Sequence, residues 1–132
     1  MILGAYEGAH SPIDAPPMTF LHVTLQDGQR WIYRPSPGHA VAWAAVYCGR
    51  LLAPSPITTG EVAIFEQSEQ PIDLVAEGET RFVIGSAPPH GHDLVLGNYS
   101  VHTSPQALLR GEAEIRRIGQ RLLADGTLQP RT

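Results

Sequence analysis

The stretch from Gly85 to Gly126 holds the single helix-period segment of the chain, and everything before it reads as short strands and turns. Leu108, Ile115, Ile118 and Leu122 recur there on one helical face. Ser104 stands as an N-cap, and Pro105 takes the first helical position, where its missing N–H is no loss. Gly126 follows as a C-terminal stop. Gly111 and Gly119 each lower helix propensity by about 1 kcal/mol relative to Ala. A helix over about 105–125 is therefore expected to depend on packing against the β-region. A long β-region closed by one C-terminal helix narrows the fold class sharply.

Thirteen Gly and twelve Pro punctuate the rest at short intervals. Residues 18–25 alternate, with Leu21, Val23 and Leu25 on one face. Asp27-Gly28 is a hairpin signal leading to a strand over 29–34. Pro35 to Gly38 break it, and a strand over 41–47 follows. Cys48-Gly49 reads as a turn into 50–53, and Glu77-Gly78-Glu79 as a turn between strands over 72–76 and 80–84. Short strands over 61–66, 94–96 and 99–101 complete the set. Many short strands at this spacing indicate a sandwich or barrel.

At 132 residues the chain is expected to form one domain with its own core. All nine basic residues are Arg, and with thirteen acidic residues the net charge is −4. Such a surface has no electrostatic footprint for nucleic acid. The single cysteine, Cys48, excludes an internal disulfide and reads as a buried thiol at a strand end. No apolar run approaches the ~20 residues of a membrane span. The N-terminus lacks the basic start and apolar core of a secretion signal, so a cytoplasmic location is expected.

Several segments in order carry a family resemblance. Leu3-Gly4-Ala5-Tyr6-Glu7-Gly8 precedes Pro12 and the first long strand. Gly60-Glu61-Val62-Ala63-Ile64-Phe65, then Arg81-Phe82-Val83-Ile84-Gly85, then Gly97-Asn98-Tyr99-Ser100-Val101-His102-Thr103 follow in sequence. This set resembles the C-terminal domain of the pirin family of cupin proteins, as a stand-alone single barrel. The resemblance implies an all-β, cupin-type barrel or jelly roll (a double-stranded β-helix) with one C-terminal α-helix. The barrel would span about 12–101 within a single domain over 1–132. Pirins hold two such barrels, and metal and dioxygenase activity belong to the first, so membership transfers no activity to this chain.

The cupin metal set is His-x-His, a following Glu and a later His, which suits Fe, Mn, Ni or Cu. Counted from the glycines, the His-x-His position is occupied by Arg34-Pro35-Ser36, the Glu position by Val41 or Ala42, and the later His position falls near Pro71. A guanidinium only donates and cannot bind a cation. The expectation is a metal-free, non-catalytic module for small-molecule binding or protein interaction. The alternative is a metal-dependent, quercetinase-like dioxygenase or isomerase with Fe, Ni or another divalent ion on a non-standard set drawn from His22, His39, His90, His92 and His102, with His90, His92 and His102 as its main candidates. His22, alone on its strand, reads as a lumen or surface residue. Trp31, Tyr33, Arg34, His39, Trp43 and Tyr47 are the lumen candidates for a small aromatic or anionic ligand, if the face holding Trp43 and Tyr47 points inward. A single second-type barrel leaves uncovered the surface its missing partner would bury, so a two-fold homodimer is expected.

Overall fold

The computed structural model describes residues 1–127 of the chain. They form two compact units, Met1–Pro89 and a second that begins at His90.

The first unit is an eight-stranded antiparallel sheet: β1 (Leu3–Tyr6), β2 (Ala9–His10), β3 (Thr19–Leu25), β4 (Arg30–Tyr33), β5 (Val41–Ala53), β6 (Ser55–Thr58), β7 (Val62–Ile64) and β8 (Ile72–Ala87). The strand path runs β2-β1-β3-β8-β5-β6, with β4 also on β8 and β7 also on β5. The sheet thus begins at Leu3, ahead of the position near 12 expected from sequence. The fold is mostly β with one C-terminal helix, as the sequence implied.

Two long strands organise the sheet, and both run through a glycine that reads as a turn. At Gly49 (φ +79) the β5–β8 register slips between Val46 and Cys48 and again between Cys48 and Arg50. Such bulges bend a strand without ending it. A Cβ on Gly49 would lie 2.4 Å from the Glu79 carbonyl oxygen, so only glycine fits. The buried Thr80 hydroxyl accepts from the Arg50 N–H at 3.2 Å and donates to the Arg50 carbonyl at 2.9 Å, supplying hydrogen bonds where the ladder is interrupted. At Gly78 (φ +75) β8 turns from pairing with β4, through 72–75, to pairing with β3, through 80–86.

One face of the sheet is the core. Leu21 and Leu25 of β3, Tyr33 of β4, Ala42, Ala44 and Val46 of β5, and Leu74, Ala76, Phe82 and Ile84 of β8 are buried on it. Beyond the bulges the buried positions of β5 switch from even to odd, to Leu51 and Ala53, as a slip that flips the face requires. Burial of each large apolar side chain contributes about 1.5–3 kcal/mol.

In the second unit β9 (Val95–Leu96) pairs with β10 (Val101–His102) in a two-stranded sheet of their own, followed by α1 (Pro105–Ala124). The Ser104 hydroxyl caps α1 by accepting the Ala107 N–H at 3.1 Å. At the other end the Gly126 N–H donates to Leu123 and the Thr127 N–H to Leu122, the paired bonds of a Schellman motif. The helix runs unbroken through Gly111, which lies against the His102 ring. No residue of α1 is fully buried, and Ile115 is 63% exposed despite its place in the apolar pattern. Among the described residues no helix is long and apolar enough to cross a membrane.

Candidate functional site

Three of the six expected lumen residues, Trp31, Tyr33 and His39, belong to one neighbourhood on the core side of the sheet. Strand β4 carries Trp31 and Tyr33 to the same face, since alternate residues share one. Tyr33 is fully buried; its ring stacks on Tyr6 with centroids 5.3 Å apart, and Trp31 meets Tyr6 edge-on at 6.1 Å. Arg34 takes part through its backbone, which donates to the Tyr6 hydroxyl at 3.3 Å, while its side chain is exposed. His39, in the loop before β5, is buried.

A polar chain crosses this apolar region. His39 Nδ1 lies 3.1 Å from Ser86 Oγ, and Ser86 Oγ lies 2.7 Å from the Tyr33 hydroxyl. Nearby, the buried Thr19 hydroxyl donates to the Ala5 carbonyl at 2.9 Å. Burial pushes the Tyr33 phenol above its ordinary value, against the opposing pull of the Ser86 and Thr19 hydroxyls. Burial likewise raises the Tyr6 phenol, with the Arg34 N–H pulling the other way. His39 also lines a cleft of about 250 Å³ with Gly4, Ala15, Pro16, Met18 and Ser36.

Sequence reasoning missed Ser86 and Thr19. The signal was present: Ser86 is in phase with Phe82 and Ile84, and Thr19 with Leu21 and Leu25. A hydroxyl at a core position in a strand must find a partner there.

Trp43 and Tyr47 lie on the other face. Val41, Trp43, Ala45 and Tyr47 do share a side, but Ala42, Ala44 and Val46 are the buried set, so the condition for an aromatic lumen on β5 is not met. Trp43 packs on Phe20 at 5.4 Å and across Gly85. Tyr47 stacks on His22 at 5.7 Å and its hydroxyl hydrogen-bonds His22 Nε2, so His22 is an outer-face residue. Cross-strand pairing puts Leu3, Phe20, Gly85, Trp43 and Ile64 in one row on this face, with His22, Val83, Ala45 and Val62 in the next but one. Ile64 is 80% exposed and Val62 63%. A cleft of about 360 Å³ runs along Phe20, Val41, Trp43 and Gly85.

The alternative metal set is not drawn together. His90 and His92 are neighbours, with ring centroids 5.4 Å apart, and His90 Nδ1 is engaged locally, 2.9 Å from the His92 carbonyl. His102 Nε2 pairs with Ser100 Oγ at 2.8 Å, and its ring rests on Gly111. Among the described residues no three of His, Cys, Asp and Glu converge as a metal would require, so the residues do not fit the cupin ligand set.

No protein-family model matches the chain, and no curated protein matches it. Its fold matches that of a quercetin 2,3-dioxygenase from Acinetobacter baumannii, with a TM-score of 0.75 and 19% identity over 87% of this chain and 41% of that one. The chain shares that protein's fold over the matched span. A weaker likeness, to an HTH_3 family transcriptional regulator from Vibrio cholerae, has a TM-score of 0.47 and 20% identity over 61% of this chain and 50% of that one. The chain thus spans half or less of the length of either protein.

Proposed function

We propose that this chain is a non-catalytic, pirin-like cupin module that uses no metal and acts by association, pairing with a second copy through the outer face of its main sheet. One observation carries the reading: the apolar side chains are divided between a filled core face and an uncovered outer face. Tyr33, Leu51, Leu74, Phe82 and Ile84 fill the inner side with no exposed surface. A small β-fold packed this way has little space for a substrate. On the outer side Tyr47, Val62 and Ile64 are all at least half exposed beside Phe20 and Trp43. A contiguous apolar patch of this kind marks an interaction surface, and a two-fold pair is the simplest way to cover it. The net charge of −4 supports neither a nucleic-acid nor an anionic-membrane partner, and a cytoplasmic role belongs to the same reading.

Sedimentation velocity of untagged protein at micromolar concentration tests the pairing; a monomer throughout overturns it. Metal analysis after expression with Fe, Ni, Mn, Zn and Cu supplied tests the rest. Near one metal per chain would overturn the metal-free reading in favour of the oxygenase alternative.

A further inference from the structure

His22 lies within the outer apolar face rather than beside it. It stands in one row with Val83, Ala45 and Val62, and the neighbouring row on that face holds Phe20, Gly85, Trp43 and Ile64. Its ring stacks on Tyr47 with centroids 5.7 Å apart, and its Nε2 hydrogen-bonds the Tyr47 hydroxyl. Both residues are exposed, so in the single chain water solvates the imidazole in either protonation state.

The charges around His22 offer it no counter-ion. Strand β8 presents Arg81, opposite Thr24 and Cys48, with its guanidinium bound to Glu79 at 2.6 Å. Strand β5 presents the Tyr47 phenol and the Cys48 thiol. Strand β1 begins at Leu3, opposite Phe20, and the one charge ahead of it is the Met1 amine. Beside Val62, the Glu61 carboxylate accepts the Thr58 N–H at 2.7 Å. Among the described residues no carboxylate pairs with His22. A second copy seated on this face takes His22 out of water, and a two-fold axis brings the partner's His22 to the same interface. A neutral imidazole that keeps its Tyr47 hydrogen bond can be buried there, but an imidazolium without a counter-charge loses its hydration uncompensated.

We propose that the His22–Tyr47 pair makes association through the outer sheet face pH-sensitive: two copies pair while the imidazole is neutral and separate when it is protonated. This rests on the pairing proposed above. Histidine is the side chain whose charge changes between about pH 5 and 8. The paired state binds fewer protons than the separated one, so association is full above that range and is lost as pH falls through it. The sign is diagnostic. Protonating the histidines also moves the net charge of −4 toward zero, which on its own favours association.

The test is sedimentation equilibrium of the full chain at about pH 8 and about pH 5.5, either side of the histidine range. The dissociation constant should be at least about tenfold larger at the lower pH, the effect of roughly one uncompensated charge. His22→Gln, which stays neutral, should pair equally at both values. His22→Arg, charged throughout, should pair as weakly at the higher pH as the unsubstituted chain does at the lower. Position 22 is exposed, so both variants should fold, which circular dichroism checks. Pairing that is unchanged or tighter at the lower pH, or a pH dependence that survives in His22→Gln, would overturn the switch and leave the sheet-face pairing standing. A monomer at both values would overturn the pairing and the switch together.

Discussion

The indole of Trp43 lies across Gly85, so closely that a Cβ on residue 85 would be 2.9 Å from Nε1 and 3.0 Å from Cε2. The two are direct cross-strand partners on β5 and β8, and the missing side chain is what lets the indole lie flat on the outer face. Gly85→Ala should displace the ring and destabilise the fold by about 1–3 kcal/mol, the usual range for overpacking. Urea unfolding measures the loss, and a red-shifted tryptophan emission reports the displaced indole. Unchanged stability and emission would show that the contact is loose.

Ile64 and Trp43 are partners on the same face, and Ile64 is 80% exposed. Ile64→Glu should leave monomer stability within about 0.5 kcal/mol, as exposed substitutions do. In a pair formed through this face it would bury an unpaired carboxylate and weaken association at least tenfold. Sedimentation equilibrium of the two forms decides; equal association would place any interface elsewhere.

Phe82 has no exposed surface and stands on the long strand that pairs with both β3 and β5. Phe82→Ala should cost about 3–5 kcal/mol, against a total of about 5–15 kcal/mol for a typical domain. Tyr99→Ala is the control, because Tyr99 is 98% exposed. A loss below 1 kcal/mol at Phe82 in urea titration would mean that this face is not the core.

The helix and its caps were fully legible, because Ser104, Pro105 and Gly126 act through local chemistry. The strands were legible as apolar runs but not as whole elements. Gly49 and Gly78 have left-handed backbone, and sequence cannot tell a glycine that ends a strand from one that bends it. Alternation correctly grouped Val41, Trp43, Ala45 and Tyr47, yet it does not say which group faces in. The large residues went outside here because Ala42, Ala44 and Val46 fit a core already occupied by Tyr33, Phe82 and Leu51. His39 was singled out by position in the loop, but its partner Ser86 is 47 residues away, and only β5–β8 register joins them.

Alkaline pH should unfold the chain through its buried phenols. Desolvation raises Tyr33 and Tyr6 above the ordinary tyrosine value of 10.0, so the folded state holds those protons more tightly than the unfolded state. The resulting stabilisation is whole below that value and is lost as pH rises through the folded values. Absorbance at the phenolate band should show two of the four tyrosines ionising late and together with the loss of far-ultraviolet circular dichroism. Late ionisation without unfolding would mean that phenolates are tolerated inside.

Gly119 and Gly111 sit in the same helix but in different surroundings. A Cβ at 119 meets nothing within 4 Å, whereas at 111 it would be 2.8 Å from Cε1 of His102. Gly119→Ala should therefore stabilise α1 by about 1 kcal/mol through helix propensity alone. Gly111→Ala has the same propensity gain, but it must push the imidazole off its Ser100 hydrogen bond, which costs about as much or more. Amide hydrogen exchange across α1 reads both. Protection should rise severalfold in Gly119→Ala and stay level or fall in Gly111→Ala; an equal rise in both would mean that the ring moves aside freely and that the helix does not rely on His102.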